Sequence, residues 1–62
     1  MGLLLDINDS NRSFTIHDVE SDAPITFLAD DAMLDRLGGV QGRILVEYET
    51  EGTDLRAIDL SF

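Results

Sequence analysis

The 62 residues include no cysteine, no tryptophan and no lysine, and only one proline and one histidine. Without cysteine there is neither a disulfide framework nor a thiolate metal site, and a lone His17 cannot build a histidine-rich zinc centre. Stability has to come from packing, helped by self-association where the core runs short. A chain this short forms one domain, residues 1–62, and buries only about 60% of the surface its unfolded form exposes, so a cleft between domains is excluded. Targeting patterns are missing as well. "MGLLLDIND" holds three consecutive leucines with no basic stretch before them, and Asp6 stands where a myristoylation motif needs Ser or Thr. The expectation is a soluble, cytoplasmic protein with no membrane association.

What the chain has in excess is negative charge. Thirteen acidic side chains stand against four arginines, a formal charge of −9. Such a surface repels phosphate backbones and anionic membranes and steers the protein toward basic partners. The same charge also suits plain solubility. Nine Asp against four Glu and the absence of Lys equally suit a high-salt or GC-rich source.

The apolar residues fall into short segments rich in Ile, Leu, Val, Phe and Thr, with a spacing closer to 2 than to 3.6. Leu3, Leu5 and Ile7 alternate before the polar cluster Asn8 to Asn11, and Phe14 and Ile16 alternate after it. Asn-Asp-Ser-Asn is turn chemistry, so the two segments read as a hairpin. "ESDAP" closes the second segment, and Pro24 opens a third in which Ile25, Phe27 and Ala29 share a face. The period then changes. In "DDAMLDRLGG" Asp30 can cap a helix, Met33, Leu34 and Leu37 lie three or four apart, and Gly38 can take the left-handed position past its end. "RILVEYE" returns to strand spacing, with Ile44, Val46 and Tyr48 on one face and Leu45, Glu47 and Glu49 on the other. "TEGTD" makes a last turn into "LRAIDLSF", where Ile58, Leu60 and Phe62 align.

The order is three strands, a short helix and two strands. That order, with glycines opening the first and fourth strands, resembles the small OB-like barrels, of which cold-shock domains are compact members. The resemblance spans Gly2 to Phe62 and implies a mainly β protein: a five-stranded antiparallel OB-like barrel with the helix between strands three and four. An SH3-like barrel is the alternative. The resemblance also implies a nucleic-acid function, carried in cold-shock domains by a "KGFGF"-like run of base-stacking aromatics on the second strand. The matching stretch here, "RSFTI", keeps one aromatic, Phe14, which alternation turns toward the core. Stacking platform and basic groove are therefore both lacking.

One stretch suggests a metal site. Counted as a twelve-residue loop, "DSNRSFTIHDVE" puts Asp9, Asn11 and Ser13 at positions one, three and five and Glu20 at twelve, close to the EF-hand pattern. Position six, however, demands a sharp turn that glycine supplies, and Phe14 occupies it. The flanks read as strands rather than helices, so no metal is expected. His17 and Asp18 are strand neighbours on opposite faces and cannot act as an acid/base pair. No nucleophile with a histidine and an acid, and no phosphate-cradling loop, is recognisable.

The function expected is that of a non-enzymatic acidic module that binds protein and needs no cofactor. In one form it is a small inhibitor of the phage type whose carboxylates mimic nucleic acid on a basic surface of its target. In the other it is a self-associating subunit, a homo-oligomer joined through outward Leu4, Leu28 and Leu45. The expected partner-binding residues are Glu47, Glu49 and Glu51, spaced at roughly 7 Å like successive phosphates, together with Asp30, Asp31 and Asp35 at the helix start. An atypical OB-type binder of single-stranded nucleic acid is the alternative from a different class.

Overall fold

The computed structural model describes residues 1–40 and 42–62. Five strands and one helix follow in the expected order: β1 (Gly2–Asn8), β2 (Ser13–Asp18), β3 (Ala23–Leu28), α1 (Asp31–Leu37), β4 (Arg43–Glu51) and β5 (Asp54–Ser61). The strands close into a barrel in the order β1-β2-β3-β5-β4. The expectation of uniformly antiparallel strands is corrected: β3 and β5 meet in parallel, through the bridge Leu28↔Arg56. Parity requires this. If every neighbour ran opposite to the last, a ring with an odd number of strands could not return to its starting direction, so closing five strands demands at least one parallel contact.

Turn chemistry sets the first two connections. Asn8 Oδ1 accepts from the Asn11 N–H, and Arg12 takes the left-handed region at φ 50°. At the next turn Asp18 Oδ2 accepts from both the N–H and the hydroxyl of Ser21, and Asp22 sits at φ 54°. Between these turns β2 pairs with both neighbours over its whole length. Its alternation places Phe14 and Ile16 in the core, as the sequence predicts, and Phe14 stacks on Phe27 at 5.4 Å between ring centroids.

Helix α1 has two turns and is too short to persist alone. Its stability is tertiary: Met33, Leu34 and Leu37 enter the same core cluster as Phe14, Ile16, Phe27, Ala29, Ile44, Ala57 and Leu60. Asp30 caps it, its carboxylate accepting from the Met33 N–H at 2.8 Å. Gly38 does not take the expected left-handed conformation. It stays helical at φ −62°, and its N–H tightens the last turn onto the Asp35 carbonyl.

Two strands depart from simple alternation. In β1 the register slips between Leu4 and Asp6, so Leu5 bulges outward at 57% exposure. Leu3 is exposed too, while Leu4 packs against the core. The expected inward row Leu3, Leu5, Ile7 is thus replaced by Leu4 and Ile7. In β5 the slip leaves Ile58 between the pairs Tyr48↔Ala57 and Glu47↔Asp59. Ile58 and Phe62 are exposed, and Ala57 and Leu60 take the interior instead of the row Ile58, Leu60, Phe62. Both bulges do the same work: one extra residue lets a strand bend around a small barrel while apolar residues on either side of it still face inward.

Candidate functional site

The barrel closes on a short seam. The β1–β4 ladder consists of Gly2↔Ile44 and Leu3↔Arg43. Gly2 is buried there, and a Cβ on it would stand 2.4 Å from the His17 carbonyl oxygen, so the close approach admits only glycine. Because β1 begins at Gly2, β4 runs on past its neighbour. From Val46 to Glu51 it pairs with β5 on one side and, among the described residues, has no ladder partner on the other. Every residue from Glu47 to Glu51 is exposed. Tyr48 belongs to the inward face, yet it remains 54% exposed because it lies beyond the barrel interior; its ring covers Phe27 at 5.2 Å.

On the outer face of this ribbon the register brings carboxylates together. Glu47 stands opposite Asp59, Glu49 opposite Arg56, and Glu51 opposite Asp54. Glu47, Glu49 and Glu51 therefore do share a face, as alternation predicts. Alternation did not reveal that β5 adds Asp54 and Asp59 to that face, nor that Arg56 sits among them. Arg56 donates from Nε to Glu51 Oε2, and its guanidinium is held above its usual pKa by that hydrogen bond, by the charge of Glu51, and then by Glu49 and Asp30. Asp59 lies 3.8 Å from Arg36 Nη1. Arg36 also donates to the Leu60 carbonyl and lies over the Phe62 ring at 5.5 Å, tying α1 to the end of β5.

The second expected cluster is engaged locally. Asp30 is the helix cap, and Asp31 faces Arg12 Nε at 3.5 Å. Asp35 is exposed. The bridge Leu28↔Arg56 places the strand residue two before Asp30 beside the arginine of the ribbon. Ion pairs this exposed are screened by solvent and contribute little to stability.

The residues of the EF-hand pattern are dispersed. Asp9 and Asn11 belong to the β1–β2 turn, Ser13 is buried in β2, and Glu20 lies in the turn at the other end of that strand. No three acidic or histidine side chains among the described residues converge on a cation position. His17 faces Asp22 across the turn, Nε2 to Oδ1 at 2.8 Å, and not its neighbour Asp18. Asp18 instead binds the turn. Its pKa is lowered by the Ser21 hydroxyl, then by the Ser21 N–H, with a smaller contribution from the terminal ammonium.

The outer face of β2–β3 shows Thr15, His17, Pro24 and Thr26, with the two threonine hydroxyls 2.8 Å apart. Phe14, the aromatic matched to the base-stacking run, is 1% exposed. Of the expected self-association row, Leu4 packs on the core instead of facing outward, Leu28 is half-buried and Leu45 is exposed. The exposed leucines of β1 are Leu3 and Leu5. Among the described residues no helix is long and apolar enough to cross a membrane. None of the protein-family models, curated proteins or solved structures compared with the chain matches it.

Proposed function

We propose that the protein is a non-enzymatic module that recognises a basic protein surface through the acidic β4–β5 ribbon. The observation that carries this reading is the ribbon's outer face, on a hairpin that projects past the barrel interior, where Glu47, Glu49, Glu51, Asp54 and Asp59 share a face with Arg56, and only Arg36 reaches in from the helix, to Asp59. Carboxylates held at strand spacing form a rigid negative array, and no cofactor enters the scheme. A phage-type inhibitor that occupies a nucleic-acid-binding surface is the sharpest version of this role.

For the fold we favour the OB type over the SH3-like alternative. The order β1-β2-β3-β5-β4, with the helix between β3 and β4, supports it. In that architecture the β4–β5 loop and the β2–β3 face are the usual binding surfaces. Here the β2–β3 face offers neither a stacking aromatic nor a cation among the residues described above. That weighs against single-stranded nucleic acid as ligand and moves the binding role to the ribbon.

Surface plasmon resonance against an immobilised basic protein tests the reading. Binding should weaken with added salt, and Glu47→Gln with Glu49→Gln should slow association more than it hastens dissociation, because exposed charges act mainly by steering. Micromolar affinity for an oligonucleotide at physiological salt, lost on mutating Arg12 or Arg43, would instead establish the nucleic-acid alternative. Self-association through Leu3, Leu5 and Leu45 is read separately, by sedimentation over a range of protein concentration.

A further inference from the structure

The feature that the acidic face alone does not use is the backbone edge of β4. Along Val46–Glu51 the groups that point away from β5 meet no ladder partner among the described residues, and every residue of Glu47–Glu51 is exposed. A strand edge left open in this way is a template for one more strand. From this geometry we infer that the protein binds its partner by strand addition: an extended segment of alternating basic and apolar residues docks along the free edge of β4. The inference rests on the ribbon being the binding surface and adds how the ligand is held and what pattern it must have.

The pattern follows from the two faces of β4. A segment of about six residues matches the open edge at strand rise. Its outward side chains would lie beside Glu47, Glu49 and Glu51, which calls for Lys or Arg at alternate positions. Its other side chains would lie beside Val46, Tyr48 and Thr50, where the half-exposed Tyr48 ring offers an apolar surface. Glu51 is already paired with Arg56, so the strongest demand for a cation falls at Glu47 and Glu49.

The charge pattern also selects against the simplest competitor, a second copy of this chain. Antiparallel pairing of β4 with its own copy would bring six glutamates onto one face with no cation between the two edges, and like charges placed opposite one another destabilise a ladder. The same glutamates therefore protect the edge from self-pairing while leaving it open to a basic strand.

The test uses the full chain and two capped peptides of alternating lysine and valine, identical except that one is N-methylated at every second residue to remove its backbone donors. Amide chemical shifts and hydrogen exchange are followed by NMR at low ionic strength. Slowed exchange at alternate amides of Val46–Glu51, with the methylated peptide at least about tenfold weaker, is the expected result, the scale of one or two net hydrogen bonds. Equal binding of both peptides would overturn strand addition while leaving the acidic surface as the binding site. Failure of both to bind would overturn the two readings together. Protection of the same amides without peptide, rising with protein concentration, would make a second copy the occupant and overturn the inference.

Discussion

Strand β2 and the far half of β4 are written alike and end up in opposite environments. "SFTIHD" and "VEYETE" alternate large and polar residues with the same period, yet Phe14 and Ile16 are buried, whereas Glu47 to Glu51 are all exposed. Alternation identifies a strand and its two faces. It does not say whether anything lies beneath either face, because that depends on how far each strand is staggered against its neighbours. β2 lies between two strands that pair with it throughout, and β4 outruns β1 after two pairs. One sequence pattern thus supplies a core in the first case and a fully exposed ribbon in the second.

The contrast is broken most directly at the packed end. Phe14→Ala removes a ring stacked on Phe27 and should cost about 3–5 kcal/mol, enough to unfold most of a domain this small. Tyr48→Ala, which removes a half-exposed ring from the same stack, should leave a folded protein in urea denaturation. If the two variants lose equal stability, the ribbon is part of the core and the distinction fails.

Next comes the close packing of β1 on β2 at Gly2, the end of β1 past which the ribbon runs on. Gly2→Ala forces a Cβ against the His17 carbonyl and should cost about 1–3 kcal/mol by pushing β1 off its neighbours. Gly52→Ala, in the β4–β5 turn at φ 65° with open space around it, carries only the left-handed strain of about 1–2 kcal/mol. Thermal melts that rank Gly52 as the more sensitive position would place the constraint on the turn instead of the β1–β2 contact.

A smaller effect separates the two regions by pH. The Asp18 carboxyl is held below its ordinary value of 3.8, so its hydrogen bonds stabilise the native state above that pH and are lost as pH falls through the lower folded-state value. Asp18→Asn should therefore flatten the acid limb of the stability profile below about pH 4. A wild-type profile that is flat down to pH 2 would refute the role given to Asp18.

The smallest effect is at the ribbon itself. Glu47→Gln with Glu49→Gln should change stability by no more than about 0.5 kcal/mol, with a gain at low salt that disappears as screening increases. Moderate NaCl should stabilise the wild type for the same reason, since −9 charges outweigh the exposed pairs made by Arg12, Arg36 and Arg56. Falling stability across that salt range would mean that those pairs dominate.

Local chemistry was legible in the sequence where it decides the outcome locally. The first hairpin, the Asp30 cap and the inward Phe27 and Ala29 follow from turn residues and period alone. The bulges at Leu5 and Ile58 do not, since Leu3-Leu5-Ile7 and Ile58-Leu60-Phe62 alternate without interruption. They answer to the curvature of a closed ring, a property of all the strands together. The candidate site divides in the same way. That Glu47, Glu49 and Glu51 share a face is a matter of period, but the place of Arg56 among them depends on a cross-strand register that the β5 bulge sets. The parallel β3–β5 contact is different again, because it follows from counting strands once closure is assumed.

That single bridge and the two-pair seam also order the events of folding. The hairpins β1–β2, β2–β3 and β4–β5 join neighbours in the chain and cost little loop entropy, whereas Gly2↔Ile44 and Leu28↔Arg56 recruit partners from distant parts of it. Closure should therefore come after the hairpins, with the seam still unformed at the rate-limiting barrier. Disturbing the seam then shortens the lifetime of the native protein without slowing its formation, a signature that chevron analysis of Ile44→Val, at the β4 side of the closure, would show in the unfolding arm.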